Sequence, residues 1–282
     1  MTLLVNRNIK YLNLERTRLK NEDVGMACEA LRHPNCLLES LRLGNCGLTA
    51  ADCQDLASSL ISNLSLTHLD LSSNSLGSEG MNLLYRTIKL PNCGLQRLIL
   101  NECNLDIASC GFLGFALVGN RRLTHLSLSM NPLEDAGVNL LCEVMMEPSC
   151  HLQDLELVKC NLTAACCKNL SRMISTSKRL RSLDLAANAL RDEGIVALCQ
   201  GLKQRKSSLR RLGLEACELT SGCCEVLSSA LSCNQHLTSL NLIRNNFSPG
   251  GMMKLCSAFG GSEGGRGGWM GNCGSVDGEI LM

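Results

Sequence analysis

The sequence predicts an α/β solenoid of parallel inner strands and outer helices, on three observations. One spacing of apolar residues recurs nine times. The recurrences alternate between steps of 29 and 28, giving a double unit of 57. Each interval leaves room for one amphipathic helix. The unit is clearest at Leu180–Leu190, LRSLDLAANAL, where leucines stand at offsets 0, 3, 5 and 10 and Asn188 at offset 8. This is the leucine-rich-repeat core L-x-x-L-x-L-x-x-N/C-x-L.

Each part of the unit has a physical reading. Leu183 and Leu185 alternate with Ser182, Asp184 and Ala186, so a short strand turns leucines inward and polar or small residues outward. The amide of Asn188 can bond backbone groups of its own turn and of a neighbouring coil. One unit cannot bury its own leucines and requires stacked neighbours. Its helix follows: Ile195, Leu198, Cys199 and Leu202 form one apolar stripe after Gly194.

Taken in order, the nine cores begin at Ile9, Leu38, Leu66, Leu95, Leu123, Leu152, Leu180, Leu209 and Leu237. Offset 8 alternates between Cys (Cys46, Cys103, Cys160, Cys217) and Asn (Asn74, Asn131, Asn188, Asn245), with Thr17 in the first. Glu79, Asp135 and Asp192 precede Asn-type helices and suit the positive end of the dipole. A glycine recurs at Gly80, Gly137, Gly194 and Gly251, replaced by Asp23 in the first unit. Repeats this long, each with a full helix, imply a strongly curved horseshoe over residues 1–259, its last helix spanning Gly251 to Phe259. The eight residues before Ile9 are too short for a folded cap, so the array is expected to begin mid-solenoid. Residues 260–282 hold nine glycines in 23 positions and are expected to be a disordered tail. An array ending there lacks a polar cap, which predicts self-association through an exposed apolar end.

Composition excludes several classes. Net charge is +1 and aromatics are 2%, so neither a nucleic-acid stacking platform nor a broadly basic surface is expected. No apolar stretch is long enough for a membrane span, and the opening MTLLVNRNIK carries no cleavage signal. The 19 cysteines fall into columns that recur once per double unit, such as Cys53, Cys110, Cys167 and Cys224. Another column, Cys28, Cys142, Cys199 and Cys256, has Tyr85 as its missing member. Such cysteines read as buried small hydrophobes. No C-x-x-C occurs, so no metal site is expected, and free core thiols fit a reducing, cytoplasmic compartment. The Asn-x-Ser/Thr sites at Asn63, Asn161, Asn169 and Asn246 read as chance in that setting. Basic residues such as Lys203, Arg205 and Arg210 gather after helices, where they complement the dipole. No nucleophile–base pattern and no phosphate-binding loop occurs, so the chain is expected to be non-enzymatic.

What remains is the concave strand face. Its outward residues give a candidate partner-binding surface comprising Tyr11, Arg42, His68, Asp70, Arg97, Asp154, Glu156, Asp184, Arg211 and Glu215. Protein partners are expected to dock there through several weak polar contacts.

The alternating Cys and Asn units resemble the ribonuclease-inhibitor class of leucine-rich repeats. The phrases CEALRHPNCLLESLRLGNCGLT (Cys28 to Thr49) and LPNCGLQRLILNECNL (Leu90 to Leu105) resemble the C-terminal repeats of pyrin-domain-containing NOD-like receptors, the NLRP family. That resemblance implies a sensing or autoinhibitory platform, in innate immune and inflammasome regulation or in germ cells and early embryos. The family's ATP-binding NACHT module and its pyrin domain have no counterpart in this chain. It therefore reads as part of a longer receptor, or a shortened isoform, with no cofactor of its own. The alternative is a ribonuclease-inhibitor-like cytosolic inhibitor. That class is acidic with inner-face tryptophans, whereas the one tryptophan here is Trp269, in the Gly-rich segment.

Overall fold

The computed structural model describes residues 8–260 and 279–281. Each repeat is a three-residue strand, a turn and a helix. The first five are β1 (Tyr11–Asn13) with α1 (Asn21–Arg32), β2 (Ser40–Arg42) with α2 (Asp52–Ser62), β3 (His68–Asp70) with α3 (Gly77–Ile88), β4 (Arg97–Ile99) with α4 (Ile107–Gly119), and β5 (His125–Ser127) with α5 (Glu134–Met145). The rest are β6 (Asp154–Glu156) with α6 (Cys167–Thr176), β7 (Ser182–Asp184) with α7 (Arg191–Leu202), β8 (Arg211–Gly213) with α8 (Cys224–Cys233), and β9 (Ser239–Asn241) with α9 (Pro249–Gly260). The chain divides into two compact units, 1–154 and 155–282.

In the first unit β1 to β5 pair in parallel without a register slip, so that Tyr11, Ser40, His68, Arg97 and His125 form one row. The central leucines Leu41, Leu69, Leu98 and Leu126 stack beneath and are buried. In the second unit β7, β8 and β9 repeat the pattern over Leu183, Leu212 and Leu240. Burying each leucine contributes about 2 kcal/mol, and the register is held because a one-residue slip would turn the whole row outward.

The Asn and Cys columns have distinct tasks. The Oδ1 of Asn131 accepts from the N–H groups of Cys103 (2.8 Å) and Leu105 (3.0 Å) in the preceding coil. Its Nδ2 donates to Leu100 O and Leu128 O, each at 2.8 Å. Asn74, Asn188 and Asn245 do the same for their preceding coils. One amide thus satisfies turn groups from two coils. Cysteine, with a single weak donor, reaches back instead: Cys46 Sγ donates to Leu14 O (3.0 Å) and Cys103 Sγ to Leu71 O (3.2 Å). The glycine column answers a cysteine column. A Cβ on Gly80, Gly137 or Gly194 would lie 2.9 Å from the sulfur of Cys53, Cys110 or Cys167, one coil earlier.

The turns also alternate. The residue at offset 7 is left-handed in every repeat, with φ between 50° and 61° from Arg16 to Arg244. The N–H of Asn45 then reaches Ser72 O, and that of Ala187 reaches Glu215 O, each at 2.8 Å. A second left-handed residue falls at offset 9 in Cys-type units (Gly47, Asn104, Asn161, Glu218) and at offset 11 in Asn-type units (Gly77, Glu134, Arg191).

All eighteen described cysteines are free thiols and sixteen are buried. Asn63, read from the sequence as a chance glycosylation motif, is a buried structural residue: its Nδ2 donates to Leu31 O at 2.9 Å. Asn120 and Asn234 occupy the equivalent places and make the equivalent bonds, to Ile88 O and Leu202 O. Helix α9 starts two residues before the expected Gly251 and ends one beyond Phe259. Within the Gly-rich segment, Glu279–Leu281 pairs antiparallel with β9. The remainder of that segment lies outside the described residues.

Candidate functional site

The strands position the predicted surface residues in rows. In the first unit Tyr11 is 73% exposed at the head of the row that carries His68 and Arg97. Arg42 and Asp70 lie side by side in the second row, with Asn13 on one flank and Ile99 on the other. Arg42 Nη1 stands 4.0 Å from Glu15 Oε2. Asp70 is only 9% exposed, and its Oδ1 accepts from the N–H (3.0 Å) and hydroxyl (2.6 Å) of Ser72. That carboxylate is spent on its own turn and offers less to a partner than its alternation suggests.

Asp154 is also engaged, by a residue missing from the predicted surface. His125 Nε2 lies 2.5 Å from Asp154 Oδ2, and His125 Nδ1 lies 2.7 Å from Thr124 Oγ1. The Thr124 hydroxyl also stands 3.2 Å from Gln96 O, so it links the imidazole to the neighbouring strand. The Asp154 carboxylate accepts from the Nε2 side of the ring and fixes its orientation on the strand face. His68 meets Thr67 in the same way at 2.8 Å. The signal in the sequence is the Thr-His-Leu phrase, which recurs one double unit apart at His68 and His125. The facing Asp154 comes a full repeat after His125 and becomes its neighbour only when the strands stack.

The second unit is acidic at the equivalent level. Leu157 N–H donates to Asp184 O (2.8 Å), which sets Glu156 beside Asp184. Gly213, opposite Asp184, leaves room for that carboxylate to lie across it; an added Cβ would collide with Asp184 Oδ1. Burial pushes the Asp184 carboxyl above the usual carboxylate range, and the charges of Glu156 and Glu215 add to the rise. Glu215 is tied to Asn241 Nδ2 (3.2 Å) and Arg244 Nη1 (3.4 Å). Arg211 is exposed, its Nε 3.3 Å from Ser182 Oγ.

A polar cleft of about 670 Å³ opens in the first unit where strands give way to turns. Asn13, Glu15, Arg16, Gly44, Asn45, Ser72 and Ser73 line it. Several are turn residues, which strand alternation does not reach. Burial holds Cys53, Cys103, Cys199 and Cys217 up at about 12, so they stay protonated and weakly nucleophilic at neutral pH. No metal-binding cluster is found among the described residues, and no described helix is long and apolar enough to cross a membrane.

Comparison with known proteins agrees with the repeat fold. The family model "Leucine Rich repeat" matches residues 62–84, 119–142, 176–199 and 233–256, four segments in step with the Asn-type coils. Human NACHT, LRR and PYD domains-containing protein 5 is 59% identical, over 91% of this chain and 26% of that protein. Human protein 14 of the same series is 46% identical, over 90% of this chain and 23% of that protein. The chain is similar throughout to the leucine-rich-repeat region of the NACHT, LRR and PYD domains-containing proteins. It spans about a quarter of the length of these relatives. One chain of the yeast Rad7 and Elc1 complex shares the fold, with a TM-score of 0.50 at 16% identity over 86% of this chain and 72% of that one.

The match to protein 5 runs over 314 residues, whereas 91% of this chain is about 257, a surplus of about 57. That surplus equals one double repeat. The match to protein 14, 253 residues against about 254 from this chain, shows none. Repeats of this family touch only their neighbours, so an array can differ by a whole double unit and keep its register.

Proposed function

We propose that the chain is a non-enzymatic docking platform, through which protein partners regulate or are recruited by a NACHT, LRR and PYD receptor. The observation that carries this is the strand face: polar side chains line it in rows, basic and imidazole groups in the first unit (Arg42, His68, Arg97) and acidic groups in the second (Glu156, Asp184, Glu215). Partners are read by complementary charge along that face rather than by a deep apolar pocket. The family resemblance supplies two settings for such a platform, inflammasome and innate immune regulation or germ-cell and early-embryo function. Buried free thiols support a reducing, cytoplasmic location. The chain needs no cofactor for this role.

The test is a quantitative pull-down with the 282-residue chain as bait. Reversing Arg42→Glu, Arg97→Glu and Arg211→Glu together should remove the partners retained by the wild-type bait. The helix-face change Arg172→Glu should leave them. Equal capture by all three baits would sink the reading.

A further inference from the structure

Helix α4 departs from every other helix of its type. Its thirteen residues, IASCGFLGFALVG, include no charge. Cys110, Leu113, Ala116 and Leu117 face the core, yet the outer side is apolar as well: Ile107 is 40% exposed, Phe115 67% and Val118 45%. A helix that is apolar all round is a helix that is covered. The repeats serve as each other's controls. Phe115 is replaced by Ser58, Arg172 and Ser229 in the equivalent helices, and Gly111 by Gln54, Lys168 and Glu225. The fold therefore does not ask for this surface.

Aromatic residues concentrate there too. The chain has seven, and three of them meet on this face. Tyr85 of α3 stacks on Phe112 with ring centroids 5.2 Å apart and lies 6.4 Å from Phe115. Tyr85 holds the place where other units bury a thiol. Aromatic clusters on a surface are where interface energy concentrates.

The flanking charges say what covers the face. Arg86 on α3 and Glu143 on α5 occupy the same helical position one double unit apart, on opposite sides of α4. Both are exposed, and neither forms an ion pair among the described residues. Lys89, just past the end of α3, is also exposed and holds its Nζ 5.5 Å from the Tyr85 ring centroid. We propose that the outer face of α3, α4 and α5 is a self-association surface whose occupant is a second copy of this chain. A twofold axis running along α4 lays α3 of one copy over α5 of the other. Arg86 then faces Glu143 twice, and the two Phe115 rings meet at the axis. Self-complementarity about a twofold is what an isologous dimer requires. Three helices about 10 Å apart and about 20 Å long present roughly 500 Å² per copy, less than a standard interface. The dimer should accordingly be weak, forming in the micromolar range.

Sedimentation velocity of the 282-residue chain, from low to several hundred micromolar, tests this. The wild type should pass from monomer to dimer. Phe115→Glu should stay monomeric throughout with an unchanged circular dichroism spectrum and melting curve. If Phe115→Glu melts early, Gly111→Glu takes its place, since nothing lies within 4 Å of a Cβ added at Gly111. Arg86→Glu and Glu143→Arg should each weaken the dimer at least tenfold. Combined, they should return it to within about threefold of wild type. A wild type monomeric at every concentration overturns the proposal. So does a dimer indifferent to Phe115→Glu, or a double reversal as weak as either single one. The strand-face variants used in the pull-down leave this surface untouched, so the two readings fail independently.

Discussion

Helices α4 and α6 are the same element twice, one in each unit, and they agree on one side only. Toward the core, Cys110, Leu113, Ala116 and Leu117 correspond to Cys167, Leu170, Met173 and Ile174, and all eight are buried. Toward solvent, Gly111, Phe112, Phe115 and Val118 correspond to Lys168, Asn169, Arg172 and Ser175. The starts differ as well. Asp106 caps α4 by accepting from Ser109 N–H at 2.9 Å, while Thr163 opens a single 3-10 turn (Ala164–Cys166) ahead of α6. A repeat fold fixes the inner face, because each coil must bury its leucines against the next. It leaves the outer face free, so a departure there points to something outside the coil.

If that division is right, changes on the inner face should hurt both units alike. The largest effect is expected from the buried amides that serve these two coils. Asn131→Ala and Asn188→Ala each strand two N–H and two C=O groups, at about 1 kcal/mol or more apiece, so each should lower stability by about 4 kcal/mol in urea unfolding. A large loss in one unit and a trivial one in the other would break the comparison.

A smaller and more pointed effect concerns the glycine column. Gly137→Ala and Gly194→Ala push a methyl against Cys110 and Cys167, at a cost of about 1–3 kcal/mol. In the double variants Gly137→Ala/Cys110→Ala and Gly194→Ala/Cys167→Ala the penalties should be less than additive, by about 1 kcal/mol, because the clash has gone. Strict additivity would mean that sulfur and glycine are not partners. The smallest effect is expected outside. Giving α4 the residue that α6 carries, Phe115→Arg, should change monomer stability by no more than about 0.5 kcal/mol. A larger loss would show that the aromatic cluster belongs to the core after all.

Much of this is legible in the chain. The spacing of Leu183, Leu185 and Leu190 gives strand, turn and inward face, and the alternation at offset 8 gives the double unit. The strand rows follow, and with them the placement of Arg42, His68, Arg97, Arg211 and Glu215. Other features are hidden by their partners' distance along the chain. Asn63 looks like a stray glycosylation motif, since the carbonyl it serves, Leu31 O, lies a full repeat earlier. Asp70 and Asp184 read as free carboxylates by alternation, but Ser72 satisfies the first and burial beside Glu156 and Glu215 raises the second.

The sequence by itself determined the phase of the solenoid, because leucine spacing acts within a single coil and is complete there. Only the tertiary structure decided which outward residues assemble. Tyr85 stands about one repeat before Phe112 and Phe115, and in the chain each is a local irregularity. Stacking one coil on the next brings them to ring contact, because consecutive coils set equivalent helices side by side. That step turns three irregularities into a surface.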